Sequence, residues 1–255
     1  MKFTDTHCHL YTEEFDNDRA AMLKRAENEN VEKFYLPAID SASTAALLDL
    51  EAQYPGQCFA MMGLHPCYVK ENYEEELLNV ETWLAKRPFA AIGEIGLDFY
   101  WDTSFTNQQY HAFKTQIQWA KQYQLPIIIH SRNATDECIA VVKEFADSSL
   151  KGIFHCFGGT TEQASQIIEM GFYLGIGGVI TYKNAGLAEV VQQLPLTALV
   201  LETDAPYLSP VPHRGKRNES SYLPLVAAKI AAVKNISIAE VAAVTTANAE
   251  KIFKT

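Results

Sequence analysis

Positive charge is scarce in this chain: 21 Lys and Arg stand against 31 Asp and Glu, a formal net charge of −10 over 255 residues. A cationic coat of the kind that binds nucleic acid nonspecifically by displacing counterions is therefore excluded. A nucleic-acid enzyme is not, because cations held in a pocket offset phosphate charge locally. Paired cysteines are lacking too. The five, at positions 8, 58, 67, 138 and 156, form no CxxC, which argues against a disulfide framework and against a thiolate zinc site. Cys8 and Cys156 flank candidate ligands, and strand alternation predicts that both face the surrounding packing. No apolar run is long enough to span a bilayer, LPIIIH and LGIGGVI being the nearest approaches. The opening MKFTDTHCHL lacks the basic-then-apolar layout of a secretory signal, so a cytoplasmic protein with no membrane partner is expected. No GxGxxG or Walker-type phosphate loop occurs. With no linker, low-complexity tract or internal repeat, residues 1–255 read as one domain, expected to be a monomer.

What is present is alternation. The chain is 48% hydrophobic and 20% charged, enough to bury a substantial core. Short β-like runs at 2–5, 33–37, 58–63, 91–94, 127–130, 152–156, 173–177 and 199–202 are separated by stretches with apolar residues three and four apart, among them 16–28, 73–86, 105–123 and 135–145. Strands alternating with helices imply a parallel sheet with crossover helices. Eight such units in about 250 residues is the usual size of an α/β (β/α)8 TIM barrel. A doubly wound open sheet is the rival, since periodicity does not reveal whether a sheet closes. Two further helical stretches, 221–233 and 238–253, read as C-terminal closing helices.

The chemistry-bearing residues fall at the ends of those strands. His7 and His9 follow strand one in DTHCH, Glu94 ends strand four in GEIGLD, and His130 ends strand five in IIIHSR. His155 ends strand six in IFHCFGG, and Asp204 follows strand eight in LETDAP. In a barrel the C-terminal strand ends converge on one mouth, where active sites are built. Two imidazoles spaced as HxH share one face of an extended strand. Imidazole and carboxylate together suit zinc, manganese or iron. Four histidines and two carboxylates exceed what one tetrahedral ion needs and fit two, with Glu94 between them. Asp204 is suited both to bind metal and to accept a proton from water. His111 lies in a helical stretch away from any strand end and reads as structural.

Taken in order, DTHCHL, GLHP, GEIGLDFYW, IIIHSR, HCFGG, LGIGG and LETDAPYLSP resemble the TatD family of metal-dependent deoxyribonucleases, from Thr4 to the terminal NAEKIF. The resemblance implies a (β/α)8 metal-dependent hydrolase that cleaves DNA phosphodiesters, as a 3′–5′ exonuclease on single-stranded ends. It implies two divalent ions, of zinc, magnesium or manganese: one on His7, His9 and Asp204, the other on His130 and His155, with Glu94 bridging. Asp204 and Glu94 would be the catalytic carboxylates. Glu202 shares a strand face with Asp204 and would either meet a further ion or stand behind a ligand. His65 in GLHP would contact phosphate, although Cys67 and Tyr68 replace a histidine that family members often carry nearby. Arg132 would pair with phosphate, Arg214 in the basic 213–218 loop would reach substrate, and Tyr100 would stack on a base. The alternative on the same two-ion site is a small-molecule amidohydrolase or esterase, or an aminoacyl-RNA deacylase. A metal-stabilised binding protein without turnover is a third reading.

Overall fold

The protein, seen in a computed structural model that describes residues 1–254, begins with the strand β1 (Phe3–Asp5). The remaining strands are β2 (Val31–Pro37), β3 (Cys58–Met61), β4 (Ile92–Asp98), β5 (Ile127–Arg132), β6 (Gly152–Phe154), β7 (Tyr173–Ile176) and β8 (Leu199–Leu201). Each pairs in parallel with the next except at two seams, so the ladders run β1–β2–β3 and β4–β5–β6–β7–β8. Both seams are bridged. Met62 N–H donates to the Ala91 carbonyl at 3.1 Å and Gly93 N–H to Met62 at 3.0 Å, joining β3 to β4. Thr6 N–H donates to Leu201 at 3.0 Å and Asp204 N–H to His7 at 2.9 Å, joining β8 back to β1. The sheet closes into a (β/α)8 barrel, and the open-sheet rival is excluded. The β3–β4 seam needs its glycines: a Cβ on Gly63 would lie 2.9 Å from the Gly93 carbonyl carbon.

The helices α1 (Arg19–Asn28), α2 (Thr44–Gln53), α3 (Tyr73–Lys86), α4 (Thr106–Tyr123), α5 (Thr135–Phe145), α6 (Thr161–Glu169) and α7 (Leu187–Gln193) follow strands one to seven. Local chemistry marks their ends. Thr160 and Gln163 form a reciprocal capping box at the start of α6, and Gln124 ends α4 in the left-handed conformation at φ 56°. The larger apolar cluster lies between strands and helices. A smaller cluster fills the barrel: Tyr35, Met61, Ile128, Ile153 and Val200 from five strands, with Ala91 just before β4.

The expected closing helices are α8 (Leu223–Lys234) and α9 (Ile238–Phe253). The second plugs the N-terminal end of the barrel, with Ala249, Ile252 and Phe253 packed under the interior layer. Asn248 ties it there by donating to the carbonyls of Leu196 and Leu199 at 3.2 and 2.8 Å. The Phe253 ring stacks on Tyr35 at 3.7 Å between centroids. Phe253→Ala is therefore expected to cost about 3–4 kcal/mol, the range for a large buried aromatic. The check is a shifted urea midpoint at unchanged slope.

Several strand ends differ from expectation, strand five running past His130 to Arg132, and two of the differences shape the site. Strand four runs on to Asp98 because Gly96 (φ 140°) lets β5 come close: a Cβ there would sit 2.1 Å from the His130 carbonyl oxygen. Glu94 thus lies inside its strand, at an irregularity in the β4–β5 register between Ile92 and Ile95. Strand six stops at Phe154, because Cys156 turns into the left-handed region (φ 47°) and its N–H goes to the Glu202 carboxylate instead of to a neighbouring strand.

Candidate metal centre

At the C-terminal mouth a cavity of about 690 Å3 is lined by His9, His65, Glu94, Asp98, His130, His155 and Asp204, among others. His7 stands directly behind, fully buried, its ring stacked 3.7 Å from that of His155. All six sequence-predicted ligands are brought together around one carboxylate. Glu94 Oε2 faces His7 Nε2 at 3.1 Å and His9 Nε2 at 3.6 Å. Glu94 Oε1 faces His130 Nδ1 at 2.8 Å, His155 Nε2 at 2.9 Å and His65 Nε2 at 3.3 Å.

The first of these clusters has the dimensions of a coordination shell. Donors 2.0–2.1 Å from a tetrahedral ion lie roughly 3.3 Å from one another. His7 Nε2 and His9 Nε2 are 3.2 Å apart, and each is 3.7 Å from Asp204 Oδ1. Asp204 reaches this position by adopting φ 56°, a conformation that aspartate tolerates better than most residues, held by its N–H on His7 and its carbonyl under Tyr207 N–H at 2.8 Å.

Hydrogen bonds behind the rings decide which nitrogen offers a lone pair to the cavity. A neutral imidazole has one lone pair and one N–H, so what the remote nitrogen meets decides what the near one offers. Tyr11 donates its hydroxyl hydrogen to the Pro37 carbonyl at 2.7 Å, so its oxygen accepts from His9 Nδ1 at 3.1 Å and leaves the Nε2 lone pair facing the cavity. His65 is the reverse. Its Nδ1 accepts from Cys67 N–H at 3.0 Å, so in the neutral ring Nε2 carries the hydrogen and can donate, but not ligate.

Charge in the site is arranged around Glu94, which is 2% exposed. Burial would raise its pKa, but His155, His65 and His7 outweigh that and hold it well below the usual carboxylate value. Burial pushes His7 down to about 4 and His9 to about 3. Burial also opposes charge on His155 and His130, yet nearby carboxylates hold both above an ordinary histidine: Glu94 and Glu202 for His155, Asp98 and Glu94 for His130. Burial lifts Asp204 to about 7. Ligands must shed protons to take a cation, so metal affinity weakens as pH falls through neutrality. Calorimetric metal titrations at pH 7 in buffers of different ionisation enthalpy are expected to show net proton release. Proton-neutral uptake would contradict this arrangement.

The remaining sequence-predicted residues divide. Arg132 lines the cavity and stacks on Tyr100 at 4.0 Å, with Trp101 at 5.4 Å. Trp101, Tyr68 and Tyr207, all exposed, reach the cavity, whereas Tyr100 meets it only through Arg132. The basic loop is dispersed: Arg214 lies over Tyr182, outside the cavity lining, Arg217 pairs with Asp18 at 2.6 Å, and His213 stacks on Tyr222. Cys8 is packed away as expected, but Cys156 lines the cavity, because the chain leaves the strand before it and alternation no longer applies. Glu202 is fully buried behind His155 and is not among the cavity residues. Sequence reading missed Asp98, whose Oδ2 meets His130 Nε2 at 2.9 Å. The signal was GEIGLD itself, where period-two alternation carries the face of Glu94 through Gly96 to Asp98 once the strand continues.

Barrel, mouth and converging imidazole–carboxylate set define a metal-dependent hydrolase. Residues 4–254 match the family model described as TatD related DNase. The chain belongs to the TatD family. The protein called uncharacterized metal-dependent hydrolase YabD of Bacillus subtilis is 40% identical over 251 residues, 98% of each chain. The 3′-5′ ssDNA/RNA exonuclease TatD of Erwinia tasmaniensis is 31% identical over 255 residues, again 98% of each chain. The crystal structure of YjjV, a TatD homologue from Escherichia coli K12, superposes with a TM-score of 0.93 at 31% identity, covering 99% of this chain and 98% of that one. Among the described residues no helix is long and apolar enough to cross a membrane.

Proposed function

We propose that the protein is a DNA exonuclease that removes nucleotides from 3′ ends of single strands with two divalent ions, zinc, magnesium or manganese. The observation that carries this reading is the division of donors around Glu94: one carboxylate oxygen faces His7 and His9, the other His130 and His155. His7, His9 and Asp204 would hold one ion, His130 and His155 the other, and Glu94 would bridge. Bound ions of this kind lower the pKa of water and neutralise charge on a phosphoryl group. The chain's own residues do the rest. Asp204, on the cavity wall, accepts the proton from the attacking water. His65 Nε2–H donates to a phosphate oxygen, which suits its tautomer and supports phosphate contact over ligation. Arg132, held flat by Tyr100 and Trp101, offers its guanidinium edge to the same group. The exposed rings of Trp101, Tyr68 and Tyr207 give unpaired bases faces to stack on, a sequence-tolerant way to hold single strands. Arg214, over Tyr182 and outside the cavity lining, would meet substrate only away from the reacting centre.

The test is release of mononucleotides from 3′-labelled and 5′-labelled single strands by metal-reconstituted protein, with Asp204→Ala as control for contaminating nuclease. Shortening from the 3′ end that disappears in the control supports the reading. Intact oligonucleotides at full metal loading, alongside turnover of ester or amide substrates, would replace it with the amidohydrolase or deacylase alternative.

A further inference from the structure

His130 and His155 present opposite ring nitrogens to Glu94. His130 turns Nδ1 inward and leaves Nε2 to Asp98 Oδ2 at 2.9 Å. His155 turns Nε2 inward and leaves Nδ1 3.4 Å from Glu202 Oε1. A ring that ligates through one nitrogen must carry its proton on the other, so these two rings need opposite tautomers. A carboxylate stands behind each ring, at the nitrogen that has to be protonated. The other pair has no counterpart. His7 Nδ1, buried and like His155 Nδ1 without a hydrogen-bond partner, has no carboxylate paired with it, and His9 Nδ1 meets only a phenol oxygen.

Both carboxylates are committed to this position. Asp98 Oδ1 accepts the N–H groups of Tyr100 and Trp101 at 2.9 and 3.0 Å. Its backbone is clasped by Gln109, whose amide accepts from Asp98 N–H at 2.9 Å and donates to Asp98 O at 3.2 Å. Glu202 accepts Cys156 N–H through Oε1, while Oε2 is buried without a hydrogen-bond partner. The space for that carboxylate exists because residue 175 is glycine: a Cβ there would come within 2.1 Å of Glu202 Oε2. A buried carboxylate in so close a niche cannot swing into the cavity to meet a further ion.

We infer that Asp98 and Glu202 are positioning residues that set the tautomer and ring orientation of His130 and His155, and so support the ion position beside Glu94 Oε1 and not the one beside Oε2. The inference rests on the two-ion reading above. Carboxylates placed behind metal-bound histidines typically contribute 10–100-fold to metal affinity. The loss on removing either one falls on a single binding step, the same step for both.

The test uses full-length protein loaded with zinc and labelled with 15N-histidine. Long-range 1H–15N correlations are expected to show the proton on Nε2 of His130 and on Nδ1 of His155. Stepwise zinc titration of Asp98→Ala, Glu202→Ala and Gly175→Ala is then expected to weaken one step 10–100-fold, leaving the other within about twofold. Gly175→Ala keeps the Glu202 carboxylate and only displaces it, so it reports positioning even if loss of the buried charge unfolds the chain. Zinc held through His130 Nε2 or His155 Nδ1 would overturn the inference and leave the two-ion reading intact. Equal weakening of both steps, or of neither, would also overturn it. A wild-type protein that takes up no zinc, magnesium or manganese would overturn both.

Discussion

Glu94→Gln is expected to lower turnover by roughly three orders of magnitude or more, a loss of about 4 kcal/mol of transition-state stabilisation. The size follows from position. Five imidazole nitrogens lie within 3.6 Å of the two Glu94 oxygens. Glutamine keeps the shape but replaces one oxygen with an NH2 group that has no lone pair for a metal or an N–H. It also removes the negative charge that holds His155 and His130 above their ordinary pKa. Both proposed ion positions therefore lose a donor or a counter-charge together, and elemental analysis is expected to show fewer ions bound than in wild type. Asp204→Asn makes the contrast: it withdraws one donor and the proposed proton acceptor but leaves the His130–His155 position whole. A Glu94→Gln protein that retained wild-type metal content and rate would remove Glu94 from the centre of the chemistry.

How much of this was legible in the sequence depended on the range of the interaction involved. Eight strands and the placement of His7, His9, His130, His155 and Asp204 at their ends follow from local pattern, because a ligand on a strand needs only the strand to be aimed. The partners behind those rings join distant segments: Asp98 meets His130 across 32 residues, and Glu202 meets Cys156 across 46. No local period records such pairings. The basic 213–218 loop is dispersed for a related reason. Its charges look concentrated in sequence, but Arg217 is turned back to Asp18 of the segment before α1, and Arg214 is laid over Tyr182. Conversely, the His65 tautomer is set by a backbone N–H only two residues away, but only through the turn geometry at Pro66–Tyr68. What stays hidden in one sequence is the choice of partner for each polar group, since many partners satisfy the same pattern.

Asp5→Ala is expected to be strongly destabilising. Asp5 is fully buried at the end of β1 and faces the turn after β8. Its Oδ1 accepts Thr203 N–H at 2.9 Å, and its Oδ2 accepts the hydroxyls of Thr203 and Ser220, each at 2.6 Å. Alanine leaves these three donors buried with no acceptor, each costing about 1–3 kcal/mol. Part of that is recovered if the hydroxyls rotate, so the net loss is expected near 4 kcal/mol, or roughly 10 °C in Tm for a chain of this length. Because Thr203 lies between Glu202 and Asp204, the same change loosens the segment that aims Asp204, and metal affinity is expected to fall with stability. Asp5→Asn separates the two terms. Burial raises the Asp5 pKa to about 6, against the lowering effect of Ser220 and Thr203. With the folded pKa above the unfolded value near 3.9, this group's contribution is fully present below about pH 4 and is lost as pH rises through about 6, a change of about 3 kcal/mol. Asparagine keeps an acceptor for Thr203 N–H, and its amide can donate to the turned hydroxyls, so its stability at pH 7 is expected to lie close to wild type. The wild-type decline between pH 4 and 6 is expected to flatten in that variant. Urea titrations of wild type, Asp5→Ala and Asp5→Asn at pH 4.5 and 7 read both effects. An Asp5→Ala midpoint equal to wild type at pH 7 would show that the β1–β8 closure does not depend on this carboxylate.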